Sequence, residues 1–222
     1  MGTTKSTKKT KVVDADAVIS AYMEWALEHN KPADTVYRFC KDSQMEEAEF
    51  YQFFGSLKGI RQAIWVRFFE QAQQLLENDP QFVEATAQNQ LLSLYFTLIE
   101  VFTLNRSYVI LMFDSLKNPA EMMAESAEFR KKFLQFTSTM NAQSTSKMSE
   151  QLSRFRDPLM RESYWVLWGM IVQFWRKDSS AGFEKTDAFI EKSVQTAFAL
   201  TDTTPLNHLI DLGKFLWNER KF

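Results

Sequence analysis

The centre of residues 14–66 reads Glu49-Phe50-Tyr51-Gln52-Phe53-Phe54-Gly55-Ser56. Residues 14–66 contain three short helical patterns followed by the start of a long one, and this stretch lies where the third pattern ends. The first pattern, Asp14 to His29, repeats apolar residues every three or four positions and predicts an amphipathic helix. The second opens at Pro32, and the third covers about 45–52. Helices this short are unstable alone, so we expect them to pack on one another as a small head.

Three segments of this head carry a recognisable pattern at fixed spacing: Thr35-Val36-Tyr37-Arg38-Phe39-Cys40, then Met45, then Phe50-Tyr51-Gln52-Phe53-Phe54-Gly55-Ser56. In this register they resemble the head of TetR-type transcriptional regulators, which typically carry Thr-Val-x-x-Ile-Ala, Ala-Gly-Val-Ser, Leu-Tyr-x-x-Phe and Ser-Lys. The resemblance implies an all-α fold, with an N-terminal three-helix helix-turn-helix head and a C-terminal helical body that binds a ligand and dimerises. We predict a basic, disordered arm over 1–12, the head over 13–56 and the body over 57–222.

Several positions of the head depart from the family pattern. Gln44 stands where the family usually has a turn glycine, which tolerates positive φ. Residues 46–49 are Glu-Glu-Ala-Glu where the family has small, polar or basic residues that face DNA, and Leu57 replaces a phosphate-contacting lysine. The DNA-binding residues implied by the resemblance are Thr35, Glu46, Glu47, Tyr51 and Lys58, the last displaced by one position.

The acidic start of the third helix has two interpretations. Carboxylates there stabilise the helix macrodipole, and Ser43-Gln44-Met45-Glu46 fits a capping box. A glutamate in the major groove also accepts a hydrogen bond from cytosine, so acidic residues do not exclude DNA.

Composition bounds the class of protein. With 6 Gly and 5 Pro in 222 residues and apolar spacing of three and four throughout, an almost wholly helical chain is expected. The 26 Lys+Arg nearly balance the 28 Asp+Glu, so no global field attracts the chain to nucleic acid or to anionic membrane. The single Cys40 lies in an apolar pattern and is expected to be a buried, inert thiol in a reducing cytoplasm.

No common catalytic motif is present. The sequence contains no glycine-rich phosphate loop, no His-Glu-x-x-His, no paired cysteines and no Gly-x-Ser-x-Gly. His29 and His208 are far apart in sequence, so we predict no metal site, no cofactor and no enzyme activity.

The body divides into further helical patterns. Leu57 to Glu77 predicts a connector helix, and the apolar stretch 82–113 predicts a buried central helix rather than a membrane span, because charged and polar residues interrupt it. A more polar helical region is expected from 120 to about 155, with the glutamates at 121, 125 and 128 as a solvated stripe. Asp157-Pro158 is expected to restart the chain, and a last helix is predicted over 206–217.

Two stretches near the C-terminal end carry more apolar surface than one packed face needs. Tyr164 to Trp175 is apolar all round, and Phe183 to Leu200 carries two apolar rows. The resemblance implies a homodimer through roughly 158–177 and 183–202. A buried hairpin within a monomer is the alternative.

The 20 Phe, 10 Met and 6 Trp are either a plain aromatic core or the lining of an adaptable apolar pocket. The resemblance implies a small-molecule pocket between the central helices, for an apolar ligand or lipid. Its candidate lining is Leu94, Leu98, Phe102, Arg106, Met112, Phe133, Phe136, Trp165 and Trp168.

Two functions remain open from the sequence. The first is a TetR-like, DNA-binding transcriptional regulator that responds to an apolar small-molecule effector. The second is a TetR-fold lipid- or isoprenoid-binding accessory protein that has lost DNA binding, which the acidic third helix, Gln44 and Leu57 favour.

Overall fold

The computed structural model describes residues 14–116, 118–144 and 150–202, without the side chains of 119, 141–144, 150–159 and 200–202. Every regular element in these ranges is helical, so the predicted all-α fold is confirmed. The predicted arm over 1–12 and the predicted last helix over 206–217, with His208, lie outside the described residues.

Three short helices form the predicted head: α1 (Ala15–His29), α2 (Val36–Asp42) and α3 (Glu47–Phe53). The prediction that α2 opens at Pro32 is wrong. Thr35 has an extended backbone and its hydroxyl accepts a hydrogen bond from the Arg38 backbone N–H at 3.2 Å, so the helix begins only after this cap.

An aromatic core holds these three helices together. The rings of Tyr22 and Phe39 meet edge to face at 5.4 Å between centroids, and Phe39 and Phe50 at 6.0 Å. Trp25 of α1 donates from Nε1 to the Asp42 carboxylate of α2 at 3.1 Å. These contacts stabilise α1, α2 and α3 against one another, which is needed because helices of this length are unstable alone.

In the described residues after the head, the structure has eight helices. They are α4 (Leu57–Glu77), α5 (Pro80–Glu84), α6 (Ala87–Leu104), α7 (Arg106–Ser115), α8 (Pro119–Glu125), α9 (Ala127–Ser144), α10 (Glu150–Lys177) and α11 (Glu184–Asp202), with a 3-10 turn at Ala181–Phe183 before α11. The helix predicted over Leu57 to Glu77 is confirmed.

Two of the predicted helix boundaries in the body are wrong. The single central helix over 82–113 is divided into α5, α6 and α7, because Ala85 is extended and Asn105 leaves the helical region. The described part of the polar helical region predicted from 120 to about 155 comprises α8, α9 and the start of α10. Pro158 lies inside α10 instead of restarting the chain, so the helical pattern on both sides outweighs the one hydrogen bond that a proline removes.

The described chain forms two compact units. The first comprises 14–67 and 105–128, where α1 packs on α7 and α2 on α3. The second comprises 68–104 and 129–202, where α10 and α11 pack on α6 and on each other, and α5 packs on α6. The division into arm, head and body at 12/13 and 56/57 stays a prediction.

A buried ion pair stabilises the first unit. Arg61 of α4 binds the carboxylate of Glu125, whose side chain is 7% exposed, and Gln62 donates to the Ala124 carbonyl at 2.7 Å. The prediction of a solvated stripe is therefore wrong at Glu125, because its partner is far away in sequence. Burial raises the pKa of the adjacent Tyr22, and the Arg61 guanidinium offsets part of that increase.

No single described helix is long and apolar enough to cross a membrane. The helices α6 and α7 reach that length and composition only when taken together across their break. The described residues also contain no cluster of three or more His, Cys, Asp or Glu side chains suited to a metal ion.

Candidate functional site

The turn between α2 and α3 has the backbone conformation of a helix-turn-helix. Gln44 has φ +54°, in the left-handed region where glycine is usual, and the Met45 N–H donates to the Cys40 carbonyl at 2.9 Å. A non-glycine residue in this region costs on the order of 1 kcal/mol. The turn therefore forms at the position predicted from sequence, although the left-handed conformation of Gln44 is less favourable than that of a glycine.

The acidic residues at the start of α3 have different local roles. Glu46 is the N-cap, and the Glu49 carboxylate accepts a hydrogen bond from the Glu46 backbone N–H at 2.9 Å. The capping box predicted at 43–46 is wrong. It lies three residues later, at 46–49, because Gln44 has a left-handed backbone and the helix begins only after it. Glu49 thus stabilises the N-terminal end of α3, whereas the Glu47 side chain is exposed.

Most cations of residues 14–67 are neutralised by neighbouring carboxylates. This stretch has six Lys and Arg against nine Asp and Glu. Four of the six form ion pairs within 4.0 Å: Lys31 with Asp34, Arg38 with Asp34 and Asp42, Arg61 with Glu125, and Arg67 with Asp16. Among the described residues of this stretch, Lys41 and Lys58 remain as the cations without a carboxylate partner.

The predicted DNA-binding residues lie on the outside of the head. Tyr51 is 52% exposed, and Glu46, Glu47 and Lys58 are exposed as well. Thr35 is also exposed, although its hydroxyl already accepts a bond from α2. The candidate set did not include Lys41, because only the three-dimensional pattern of ion pairs distinguishes it from Arg38.

The thiol of Cys40 is buried behind α3, as expected. Burial raises its pKa to about 11, and the negative charges of residues 46, 47 and 49 add to the increase. A thiol with this pKa is almost wholly protonated at neutral pH, so Cys40 is a core residue.

Seven of the nine predicted pocket residues lie together in the second unit. They are Leu94, Leu98, Phe102, Phe133, Phe136, Trp165 and Trp168, of which all but the half-buried Trp165 are buried. The other two, Arg106 and Met112, lie on α7 in the first unit.

Rings from α4, α6, α9 and α10 pack into one aromatic cluster in the second unit. Phe102 meets Trp168 at 5.3 Å between centroids and Phe133 meets Trp165 at 5.5 Å. Two of its polar atoms form hydrogen bonds: the Tyr95 hydroxyl donates to the Tyr164 carbonyl at 2.8 Å, and Trp175 Nε1 donates to the Thr103 hydroxyl at 3.0 Å. We call this set of rings the aromatic cluster.

The helices α10 and α11 expose an apolar surface. On α10, Val166, Met170 and Phe174 recur every four residues and are 60%, 54% and 37% exposed, while the opposite face is buried. Phe174 stacks on Phe189 of α11 at 4.7 Å and 3° between the ring planes. The prediction that α10 carries more apolar surface than its own unit covers is consistent with this stripe.

A groove of about 670 Å³ runs along this surface. Its floor is apolar, and Glu162 and Lys192 stand at its rim. We call it the α10–α11 groove; its lining includes Val166, Leu167, Met170, Phe189, Ser193, Thr196 and Ala197.

Asp178 fixes the turn between these two helices. Its carboxylate accepts hydrogen bonds from the backbone N–H and hydroxyl of Ser180 at 2.9 and 2.6 Å, and from those of Thr186 at 2.9 and 2.7 Å. These bonds, with the Ser180 hydroxyl the largest cause, hold the pKa of Asp178 well below its usual range.

Comparison with known proteins identifies the family. A family model described as "Tetracyclin repressor-like, C-terminal domain" matches residues 90–216, which is more than half of the chain. The protein belongs to the tetracycline repressor-like family. This domain of the family therefore includes α10, α11 and most of the aromatic cluster.

A solved structure of the family has the same fold. The TetR transcriptional regulator from Nitrosomonas europaea superposes with a TM-score of 0.59 at 13% sequence identity, over 82% of this chain and 96% of that chain. At this identity the likeness shows the fold alone, so the TetR-like fold predicted from the head is confirmed. None of the curated proteins matches the chain.

Proposed function

We propose that this TetR-family protein is a homodimeric, DNA-binding transcriptional regulator that responds to an apolar small molecule. It acts in the cytoplasm and catalyses no reaction. The observation that carries the proposal is the helix-turn-helix arrangement: a turn with the left-handed Gln44 precedes α3, which packs into the head through Phe50 and exposes Glu47 and Tyr51.

The exposed face of α3 is proposed to enter the major groove. In helix-turn-helix proteins the N-terminal residues of the recognition helix contact base edges. Glu46 and Glu47 lie at this end, where a carboxylate accepts a hydrogen bond from cytosine N4. Tyr51, Lys58 and the hydroxyl of Thr35 are proposed to donate to phosphates, which position the head without reading sequence.

The α10–α11 groove is proposed to bind a second copy of the chain, through roughly 158–177 and 183–202. The exposed stripe of α10 is apolar, and soluble proteins seldom leave such a surface uncovered. In a two-fold interface each patch meets its own copy, so the apolar stripe of α10 would be covered by the same stripe of the second copy.

The effector is proposed to be an apolar molecule that binds among the residues of the aromatic cluster in the second unit. The rings in the cluster are closely packed, so ligand entry requires side chains to change rotamer. Binding would favour one setting of α4, which links the head to the body in sequence. Such a ligand shifts the conformational equilibrium only by its difference in affinity for the two settings.

One observation favours the second candidate function, a TetR-fold lipid- or isoprenoid-binding accessory protein without DNA binding. Residues 14–67 carry more carboxylates than cations, and most of those cations are already paired. Phosphate contacts supply most nonspecific affinity for DNA, so the head has little charge with which to attract it.

Selection from a pool of random duplexes, followed by gel shift at physiological salt, tests the proposal. A regulator enriches one sequence family and binds it with a dissociation constant far below about 10⁻⁵ M, which is the nonspecific range. If no duplex binds more tightly than this, the regulator function is overturned in favour of the accessory protein.

A ligand screen tests the effector independently of DNA. We expect native mass spectrometry to detect a co-purified apolar molecule, or a fatty acid, quinone or sterol-like compound to raise the melting temperature. If no compound is retained and none raises the melting temperature, the aromatic cluster is a plain core.

A further inference from the structure

The outer face of α2 combines an unpaired cation with an exposed ring. Tyr37 and Lys41 are one helical turn apart, and the Lys41 ammonium lies over the Tyr37 ring at 6.0 Å from its centroid. Tyr37 is 61% exposed, and Lys41 is exposed as well. We propose that Tyr37 and Lys41 form a binding site for a DNA backbone phosphate; this inference rests on the proposed DNA-binding function.

The charge of Lys41 is available because, among the described residues, no carboxylate forms an ion pair with it, whereas Lys31, Arg38, Arg61 and Arg67 have such partners. Its neighbour on α2, Arg38, has Asp34 and Asp42 within 4.0 Å. A cation already paired with a carboxylate brings little net charge to a phosphate. On α2, the positive charge that remains for DNA is therefore that of Lys41.

The position of Lys41 fits the part that α2 has in this motif. The helix before the recognition helix crosses the sugar-phosphate backbone, so its outer face is near phosphates. Phe39 and Cys40 are buried on the inner face of α2, which leaves Tyr37 and Lys41 outward. The Tyr37 ring attracts the ammonium through its negative face and limits the conformations of a flexible side chain.

The tyrosine also has a hydroxyl that can donate to phosphate. The site would therefore combine a positive charge with a neutral hydrogen-bond donor, a pairing that recognises phosphate oxygens without reading a base. Lys58 on α4 is the other cation of residues 14–67 without a carboxylate partner among the described residues, and it serves as a reference for a predicted phosphate contact.

The salt dependence of DNA binding measures phosphate contacts directly. The logarithm of the binding constant falls with the logarithm of salt concentration by about 0.9 for each phosphate contact. Lys41→Gln should therefore reduce the slope by about 0.9 per protomer, or about 1.8 for a dimer, on every duplex alike. Lys31→Gln is the matched control, since it removes the same charge from the head at a lysine already paired with Asp34.

Two substitutions separate the ring of Tyr37 from its hydroxyl. Tyr37→Phe keeps the ring beneath Lys41, and Tyr37→Leu removes its negative face. A loss of affinity in the leucine variant alone assigns the ring as the support of Lys41, and an equal loss in both assigns the hydroxyl as a phosphate donor. Either result supports the site, and wild-type affinity in both variants removes Tyr37 from it.

The experiment distinguishes failure of this inference from failure of the proposed function. If wild-type protein binds its selected duplex and Lys41→Gln has the same slope as Lys31→Gln, the site is overturned while DNA binding stands. If wild-type protein binds no duplex above nonspecific affinity, both are overturned. Circular dichroism of each variant establishes that the head remains helical.

Discussion

The α2–α3 surface and the α10–α11 groove expose opposite kinds of side chain. On α2 and α3, carboxylates and a few cations surround single exposed rings, and caps and ion pairs satisfy many polar groups. Along α10, Val166, Met170 and Phe174 form a continuous apolar stripe. The first surface suits a charged, hydrated partner and the second a dry one.

One nearly neutral chain thus exposes two surfaces of different chemistry. Charge contacts with phosphates weaken as salt rises, because counterions compete for them. Apolar burial does not depend on counterions and scales with the area removed from water. The two surfaces are thus expected to respond to different variables, and substitutions at each should be separable.

The largest expected effect concerns the buried ion pair in the first unit. Glu125→Ala leaves Arg61 partly buried without its carboxylate, so the free energy of unfolding should fall by about 3–5 kcal/mol. Urea denaturation measures this. Asp16→Ala, which removes an exposed partner of Arg67, is the control and should cost at most about 1 kcal/mol. Equal losses would contradict the buried role of Glu125.

The second prediction concerns a substitution that disrupts the apolar surface of α10 and leaves the α2–α3 surface unchanged. Met170→Glu places a carboxylate in the α10–α11 groove, and an unpaired charge in a dry interface should raise the dimer dissociation constant by at least about 100-fold. Light scattering at micromolar concentration should give a monomer. Val83→Glu is the matched control, because Val83 is also 54% exposed, yet lies outside the groove. A dimer in both variants would exclude this interface.

Much of the fold followed from local sequence, whereas the sites depended on contacts distant in sequence. The helix-turn-helix register and α4 were predictable because turns and amphipathic periods are local. Burial of Glu125 was not, since its partner Arg61 is 64 residues away. The extra candidate Lys41 was missed for a similar reason, because lysine and arginine on one helix differ only once their neighbours are known.

A third prediction sharpens the account of the α10–α11 turn through its pH dependence. The folded pKa of Asp178 is lowered, so its stabilising contribution is present above the unfolded carboxyl pKa of about 3.9 and is lost as pH falls through the folded pKa. Asp178→Asn should lower the melting temperature by roughly 4 °C near pH 7. The difference from wild type should shrink below about pH 4. A constant difference from pH 3 to 7 would contradict the ionised role.

The smallest expected effect concerns the turn between α2 and α3. Gln44→Gly removes the steric cost of φ +54° and should raise the free energy of unfolding by about 0.5–1 kcal/mol in chemical denaturation. Asn30→Gly is the control, since Asn30 has φ +51° but asparagine tolerates this region. The gain at Gln44 should exceed that at Asn30, and the reverse order would contradict the strain assigned to the turn.

We propose that the charged α2–α3 surface binds DNA only as part of a dimer joined through the α10–α11 groove. Native mass spectrometry of the protein with a duplex selected from a random pool tests both surfaces at once. We expect a complex of two protomers and one duplex, which Met170→Glu abolishes. Free dimer beside free duplex, or one protomer bound to each duplex, would contradict it.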